Sequence, residues 1–221
     1  MTAIRHAFAA ILSLAALAGF APLHPIGVAK AEDAKMQSAT AALVAKPMAL
    51  PDMAVGPAKA PVTIVEYASM TCPHCADFGL NVFPMLKSKY ADAGKVRFVF
   101  RDFPLDIKAL AASMLARCIG RDEPAKYFGA IETLFKQQDR LVAQTLETLN
   151  WVGRQVGMNE QAVEACEKDQ ALLDKISADQ KFANEELKVY ATPTFFINGE
   201  MFKGAMTFEE LDKKIQTLLK R

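Results

Sequence analysis

Histidine is scarce in this chain, and two of its three copies, His6 and His24, fall in a stretch with the marks of an export signal. His74 is then the only histidine of the mature protein. That excludes chemistry needing a second one, such as His-rich metal sites. Excess charge is also missing. Once Arg5 and Lys30 leave with the signal, 24 basic residues face 25 acidic ones, a formal charge of -1, and nothing favours nucleic acid or an anionic membrane surface. Cysteine numbers four, with one close pair, Cys72 and Cys75, and two distant singletons, Cys118 and Cys166. A zinc site would need a second close pair or a Cys/His set, so no metal is expected. Beyond the first residues there is no apolar run long enough to span a bilayer.

The chain start supplies the compartment. Arg5 and His6 precede the apolar run Ala7 to Ala21, and Ala29-Lys30-Ala31 gives the small-x-small pattern of a signal-peptidase site. Residues 1–31 therefore read as a cleavable signal peptide with cleavage before Glu32. The run is shorter than the roughly 20 apolar residues of a membrane anchor. The expected location is an oxidising one, the bacterial periplasm, with no membrane insertion after cleavage. The remaining 190 residues suffice for one domain with a sizeable core or two small ones. Residues 32–51, rich in Ala, Lys and Met, read as a flexible linker, leaving 52–221 as the folded part.

What is present is a redox candidate. Cys72-Pro73-His74-Cys75 follows a β-type run, Val62 to Tyr67, and opens a helical one. Two cysteines separated by two residues can close a small disulfide ring. The first would lie at a helix N-terminus, where unpaired N–H groups and the helix dipole stabilise the thiolate that attacks disulfides. Cys72, toward the exposed helix end, is the expected attacking sulfur and Cys75, one turn in, the resolving one. Pro73 and His74 complete the catalytic tetrad, and the His74 ring is expected to donate a hydrogen bond or present charge to the Cys72 thiolate.

The surrounding elements are legible from their periods. Val62-Thr63-Ile64-Val65 reads as a strand buried on both faces, ended by Glu66. A helix from the cysteines to about Tyr90 carries Phe78, Val82, Met85 and Leu86 on one face, with Gly94 past its end. Val96 to Phe100 is the next strand, and a right-handed crossover makes the two parallel neighbours. From about 105 to 186 the spacing is helical throughout. Thr194 to Ile197, the turn Asn198-Gly199 and Glu200 to Lys203 read as a hairpin. Thr207 and Glu210 form the capping box of a last helix with Phe208, Leu211, Ile215, Leu218 and Leu219 as its buried stripe. Cys118 and Cys166 share the apolar spacing of their helices and are expected to face the interior, joined as a structural disulfide in an oxidising compartment.

This order, β-α-β, helices, then β-β-α, with Cys-x-x-Cys at the first helix and Thr192-Pro193 before the third strand, resembles the thioredoxin fold. The class is α/β with an inserted all-helical subdomain. More narrowly, the Cys-Pro-His-Cys tetrad, Glu66 six residues before Cys72, the insertion and Thr192-Pro193-Thr194-Phe195 resemble the DsbA-like proteins, from Val62 to Leu219. The resemblance implies that the Glu66 carboxylate lies beneath the active-site helix and relays a proton to the buried cysteine. It also implies a cis bond at Pro193 facing the disulfide, with the Thr192 backbone free to pair with an extended substrate chain.

The implied activity is a thiol-disulfide oxidoreductase that donates its disulfide to unfolded exported polypeptides, with no cofactor besides the Cys72–Cys75 pair. A DsbB-like membrane partner would reoxidise it. Thr192 keeps a second reading open, an isomerase or reductase held reduced by a DsbD-like partner, because threonine before the proline is more typical of that branch. Against it, the roughly 30 residues between Glu32 and Pro61 are too few for an added dimerisation domain. A non-catalytic chaperone or binding module is the alternative of another class, which the intact cysteines oppose.

Overall fold

The computed structural model describes residues 26–220. Most of the expected signal peptide, residues 1–25, lies outside the described residues. Helix α1, Ile26–Val44, runs across the expected cleavage point after Ala31.

Five strands form one sheet in the order β1-β3-β2-β4-β5: β1 Met53–Val55, β2 Val62–Ala68, β3 Val96–Asp102, β4 Thr194–Ile197 and β5 Glu200–Lys203. β2 and β3 are parallel, in register from Val62 opposite Val96 to Ala68 opposite Asp102, as the crossover rule requires. β4 and β5 are the expected hairpin, and positive φ at Asn198 (45°) and Gly199 (84°) gives its tight turn. β1 pairs antiparallel with β3 and was not foreseen. Three residues are too few to show a period.

The first helix of the β-α-β unit, α2, spans residues 73–91 without a break, but two of its four consecutive segments, Phe78–Val82 and Lys87–Ala91, are wide π-type turns. Each extra residue in a turn rotates the following side chains about the axis. Phe78, Val82 and Leu86 are buried as the helical spacing predicts, whereas Met85 is displaced to the surface, 43% exposed.

The insertion consists of α3 Ile107–Gly120, α4 Pro124–Lys136, α5 Gln138–Ala143, α6 Thr145–Gln155, α7 Glu160–Glu167 and α8 Gln170–Glu185. These limits sit close to the expected 105–186. The closing helix α9, Phe208–Leu219, has the Thr207/Glu210 capping box and buries Leu211 and Ile215. A continuous core joins the sheet, α2 and the insertion through Ile64, Phe78, Phe98, Leu115, Leu134 and Phe195, all nearly inaccessible.

A buried ion pair locks the insertion onto the sheet. Asp102, ending β3, accepts from Arg117 Nε of α3 at 2.7 Å and from the Tyr127 hydroxyl of α4 at 2.9 Å. The flexible linker expected at residues 32–51 is instead helix and docked chain. Asp179 of α8 accepts from the main-chain N–H groups of Ala49 and Leu50. Arg101 donates to the Val44 carbonyl at 2.9 Å, and Arg117 to that of Pro51 at 2.8 Å. Val44 and Leu50 are buried. Composition alone hides this, because the segment is held by its main chain and two apolar anchors rather than by a long periodic face.

The Cys118–Cys166 disulfide is formed, tying α3 to α7 across 48 residues. Cys166 is buried as expected, but Cys118 is only half-buried and lines a surface groove rather than the interior. Because these two are bonded to each other, neither can serve as a thiolate ligand beside the Cys72 pair. Among the described residues no helix is long and apolar enough to cross a membrane.

Candidate redox site

β2 delivers the chain to the cysteines, and a tight turn at residues 69–72 starts α2. Cys72 is the N-cap: its sulfur accepts from the Cys75 main-chain N–H at 3.3 Å, while Pro73 fills the first turn, where a missing N–H is harmless. Both cysteines are free thiols. Against the expectation of an exposed first cysteine, Cys72 is only 5% exposed, because the loop before β4 covers it. Cys75 is sealed completely.

That loop carries the Thr192–Pro193 peptide, which is cis. The Cys72 sulfur lies 3.4 Å from the Thr192 carbonyl oxygen, so the main chain expected to meet substrate lies directly against the nucleophile.

The two sulfurs are electrostatically unequal. Cys72 is lowered to about 6, chiefly by the hydrogen bond from the Cys75 thiol, against the opposing effect of burial. Thr192 and the main-chain N–H groups of Cys75 and His74 add to the lowering. Cys75 is raised far above the ordinary thiol range, first by burial, then because its proton is engaged with Cys72 and because Glu66 lies nearby. At neutral pH one sulfur is a thiolate and the other a thiol.

Two expected roles take a different form. The His74 ring is exposed and makes no hydrogen bond among the described residues. What His74 contributes to Cys72 is its main-chain N–H. Glu66 does not end its strand. It sits inside β2, 2% exposed, opposite Phe195 of β4 and Phe100 of β3. Burial, and secondarily the charge on Cys72, push its carboxyl well above the usual range, and Oε1 has no partner. Cys75 and Glu66 are therefore a buried pair of groups that both favour the protonated form.

Residues that sequence reasoning missed hold the nucleophile's loop. Gln138, opening α5, donates both protons of its amide, to the carbonyls of Met70 at 2.9 Å and Cys72 at 3.0 Å. Asp106 caps α3 through the Ala109 N–H at 2.9 Å and accepts from the Thr71 hydroxyl at 2.6 Å. Ser69 accepts from the Leu105 N–H. Asp106 carried a visible cap signal, an acid just before an apolar helical run. Gln138 carried none.

Comparison with known proteins fits this geometry. Residues 49–217 match the family model described as thioredoxin. The chain is 34% identical to Wolbachia pipientis alpha-DsbA1, whose crystal structure superposes with a TM-score of 0.71 over 79% of this chain and 94% of that one. It is 35% identical over 150 residues to a Rickettsia bellii protein provisionally named a protein-disulfide oxidoreductase, covering 67% of this chain and 57% of the relative, so it spans little more than half of that protein. It is 25% identical over 172 residues to disulfide bond formation protein D of Bacillus subtilis, with 75% and 76% covered. With the cysteine pair, the cis proline and the buried acid in place around one sheet, this chain belongs to the thioredoxin family and, within it, to the DsbA-like proteins.

Proposed function

We propose that this chain is a thiol-disulfide oxidoreductase acting as an oxidase on unfolded exported polypeptides, in the periplasm, after removal of residues 1–31. The observation that carries the reading is the geometry of the pair. Cys72 caps α2 against the cis Thr192–Pro193 loop, its sulfur accepting from the Cys75 N–H at 3.3 Å, while Cys75 is sealed beneath it, an arrangement that lowers the first thiol and raises the second. In the oxidised enzyme a substrate thiolate attacks Cys72, the Cys72–Cys75 bond breaks, and Cys75 departs with the bonding pair. Glu66, buried and protonated beside it, gives Cys75 its proton. The substrate's second thiolate then attacks the substrate sulfur of the mixed disulfide and expels Cys72 as a thiolate. The substrate loses two electrons to form its disulfide, and the pair gains them. A well-stabilised thiolate is a good leaving group, and it makes the disulfide a strong oxidant, an effect for which DsbA is the established example.

The pair needs no other redox cofactor. It returns to the disulfide by passing its electrons to a DsbB-like membrane partner and from there to quinone. In this reading the Thr192 main chain, beside the Cys72 sulfur, hydrogen-bonds an extended substrate strand, so that recognition through the main chain tolerates many sequences.

Thr192 also supports a second reading, an isomerase or reductase kept reduced by a DsbD-like partner. Trapping the in-cell redox state of Cys72 and Cys75 with an alkylating reagent separates the two. A mainly oxidised pair supports the oxidase. A mainly reduced pair, with repair of scrambled disulfides by the purified protein, supports the isomerase. The variant Cys75→Ser should accumulate mixed disulfides through Cys72. If it accumulates none while the wild type oxidises model peptides, the assigned roles are wrong.

A further inference from the structure

A cavity of about 450 Å³ opens between α2, α4 and β3, within the range of small-molecule sites. Its walls are aromatic. Phe83 and Phe128 stack with ring centroids 5.4 Å apart, and Phe98 packs against both. Glu66 is the one buried acid among the residues lining the cavity, and the Glu66 Oε1 has no hydrogen-bond partner. An unpaired polar atom in an apolar cavity costs free energy that a matching ligand would recover.

The mouth is uncovered for an independent reason. Ala125 and Gly129 of α4 both line the cavity and lie one helical turn apart, hence on one face. After proline, glycine is the poorest helix former, and packing does not require it here. A Cβ built on Gly129 meets no heavy atom within 4 Å. What the glycine provides is open space, between this cavity and the surface groove that Cys118 and Cys166 line. Lys87 and Glu132, both exposed, stand at the rim with opposite charges, so neither sign of ligand is drawn in.

We propose that this cavity binds an uncharged, flat aromatic molecule bearing a carboxamide, its ring packed on the Phe83–Phe128 pair and its amide paired with the Glu66 carboxyl. A carboxylic acid presents one donor and one acceptor side by side, the complement of a primary amide. A charged ligand would surrender its hydration to walls with no counter-charge. Binding in this cavity does not depend on the direction of electron flow through the cysteines.

Benzamide is the probe, titrated into the reduced full-length chain with ¹³C-methyl NMR reporting on Val55 and Ile131, which line the cavity. The expected result is saturable shifts at these two methyls. Affinity should weaken about tenfold or more, the scale of one hydrogen-bonded pair, in Glu66→Leu. It should weaken at least as much in the double variant Ala125→Leu/Gly129→Leu, which roofs the mouth without touching Cys72 or Cys75. Methyls of the insertion core such as Leu149 and Val163, which should keep their wild-type positions, verify folding of both variants. Toluene should bind more weakly than benzamide to the wild type and be indifferent to Glu66→Leu. No saturable shift in the wild type, or unchanged affinity in the folded double variant, would overturn the site. Equal binding of benzamide and toluene would overturn the pairing with Glu66.

Discussion

Raising the pH from 5 to 9 should stabilise the reduced protein relative to its own oxidised form, and the size of the effect follows from Cys72. Folded, its thiol titrates at about 6, against an ordinary value of 9.0. Between these two values the unfolded chain carries a proton that the folded one has lost. Stability then rises with pH, at no more than about 1.4 kcal/mol per pH unit for one proton. The contribution is absent below about pH 6 and complete above about pH 9. Cys72 is covered, but Pro73 and His74 beside it are exposed, so solvent near the helix start screens part of it and the slope should fall short of that ceiling. The oxidised protein has no Cys72 thiol to titrate, so this slope is missing from it.

Glu66 pulls the other way. Its raised folded pKa favours the protonated native state, a contribution lost as pH climbs through that value. It is present in both redox states, so taking the difference between them removes it to first order. The assay is denaturant unfolding of both forms across the pH range, paired with thiolate absorbance of the reduced protein. With a pKa of about 6, about 90% of Cys72 is thiolate at pH 7, against about 1% for an unperturbed thiol. An absorbance midpoint at pH 8 or above, or a reduced-minus-oxidised stability that falls between pH 6 and 9, would refute the electrostatic account of Cys72.

Other perturbations probe the rest of the structure. Replacing Cys118 and Cys166 with Ala opens a 48-residue loop, which the chain-entropy estimate puts at about 4 kcal/mol. For a protein of this size that lowers the thermal midpoint by roughly 8–16 °C, and an unchanged melting curve would contradict it. Arg117→Met strands the Asp102 carboxylate among apolar neighbours with only Tyr127 to bond it, and should cost about 3–5 kcal/mol in denaturant unfolding. Glu66→Leu removes a buried acid with an unpaired oxygen and should add about 1–3 kcal/mol of stability at neutral pH, while slowing proton transfer at Cys75 in stopped-flow thiol exchange. A variant that is both less stable and equally fast would show that Glu66 is neither strained nor a relay.

What could be read from the sequence was whatever local pattern dictates. The parallel pair β2/β3, the Asn198-Gly199 hairpin, the Thr207/Glu210 capping box and the limits of the insertion each follow from a run or a turn of a few residues. The cysteine tetrad placed the site for the same reason. What was not legible depends on residues far apart in the chain. Glu66 looks like a strand end until Phe100 and Phe195 close over it from two neighbouring strands. Met85 belongs to the apolar face only if the helix keeps 3.6 residues per turn, and the wide turns of α2 break that count. The order in residues 32–51 comes from Asp179, Arg101 and Arg117, contributed by β3 and the insertion.

The contacts between insertion and redox loop explain why a helical block belongs in this fold at all. A thiolate at a helix N-terminus is only as stable as the geometry of the N–H groups that face it. Here that geometry is not left to α2. Gln138 fixes the carbonyls on either side of Thr71, and Asp106 holds the Thr71 hydroxyl while capping α3. The position of α3 is set in turn by the Asp102–Arg117 contact with β3 and, at its far end, by the Cys118–Cys166 bridge. Gln138 opens α5, which directly follows α4, the helix tied to β3 through Tyr127 and Asp102. The insertion therefore does two things with one set of helices. It covers the sheet beside Glu66, whose burial raises the acid, and it clamps the turn that presents Cys72. The low and the high pKa of the pair arise within the pair itself, from the hydrogen bond between the two sulfurs and the burial of Cys75, and the insertion holds the turn in which that bond is made.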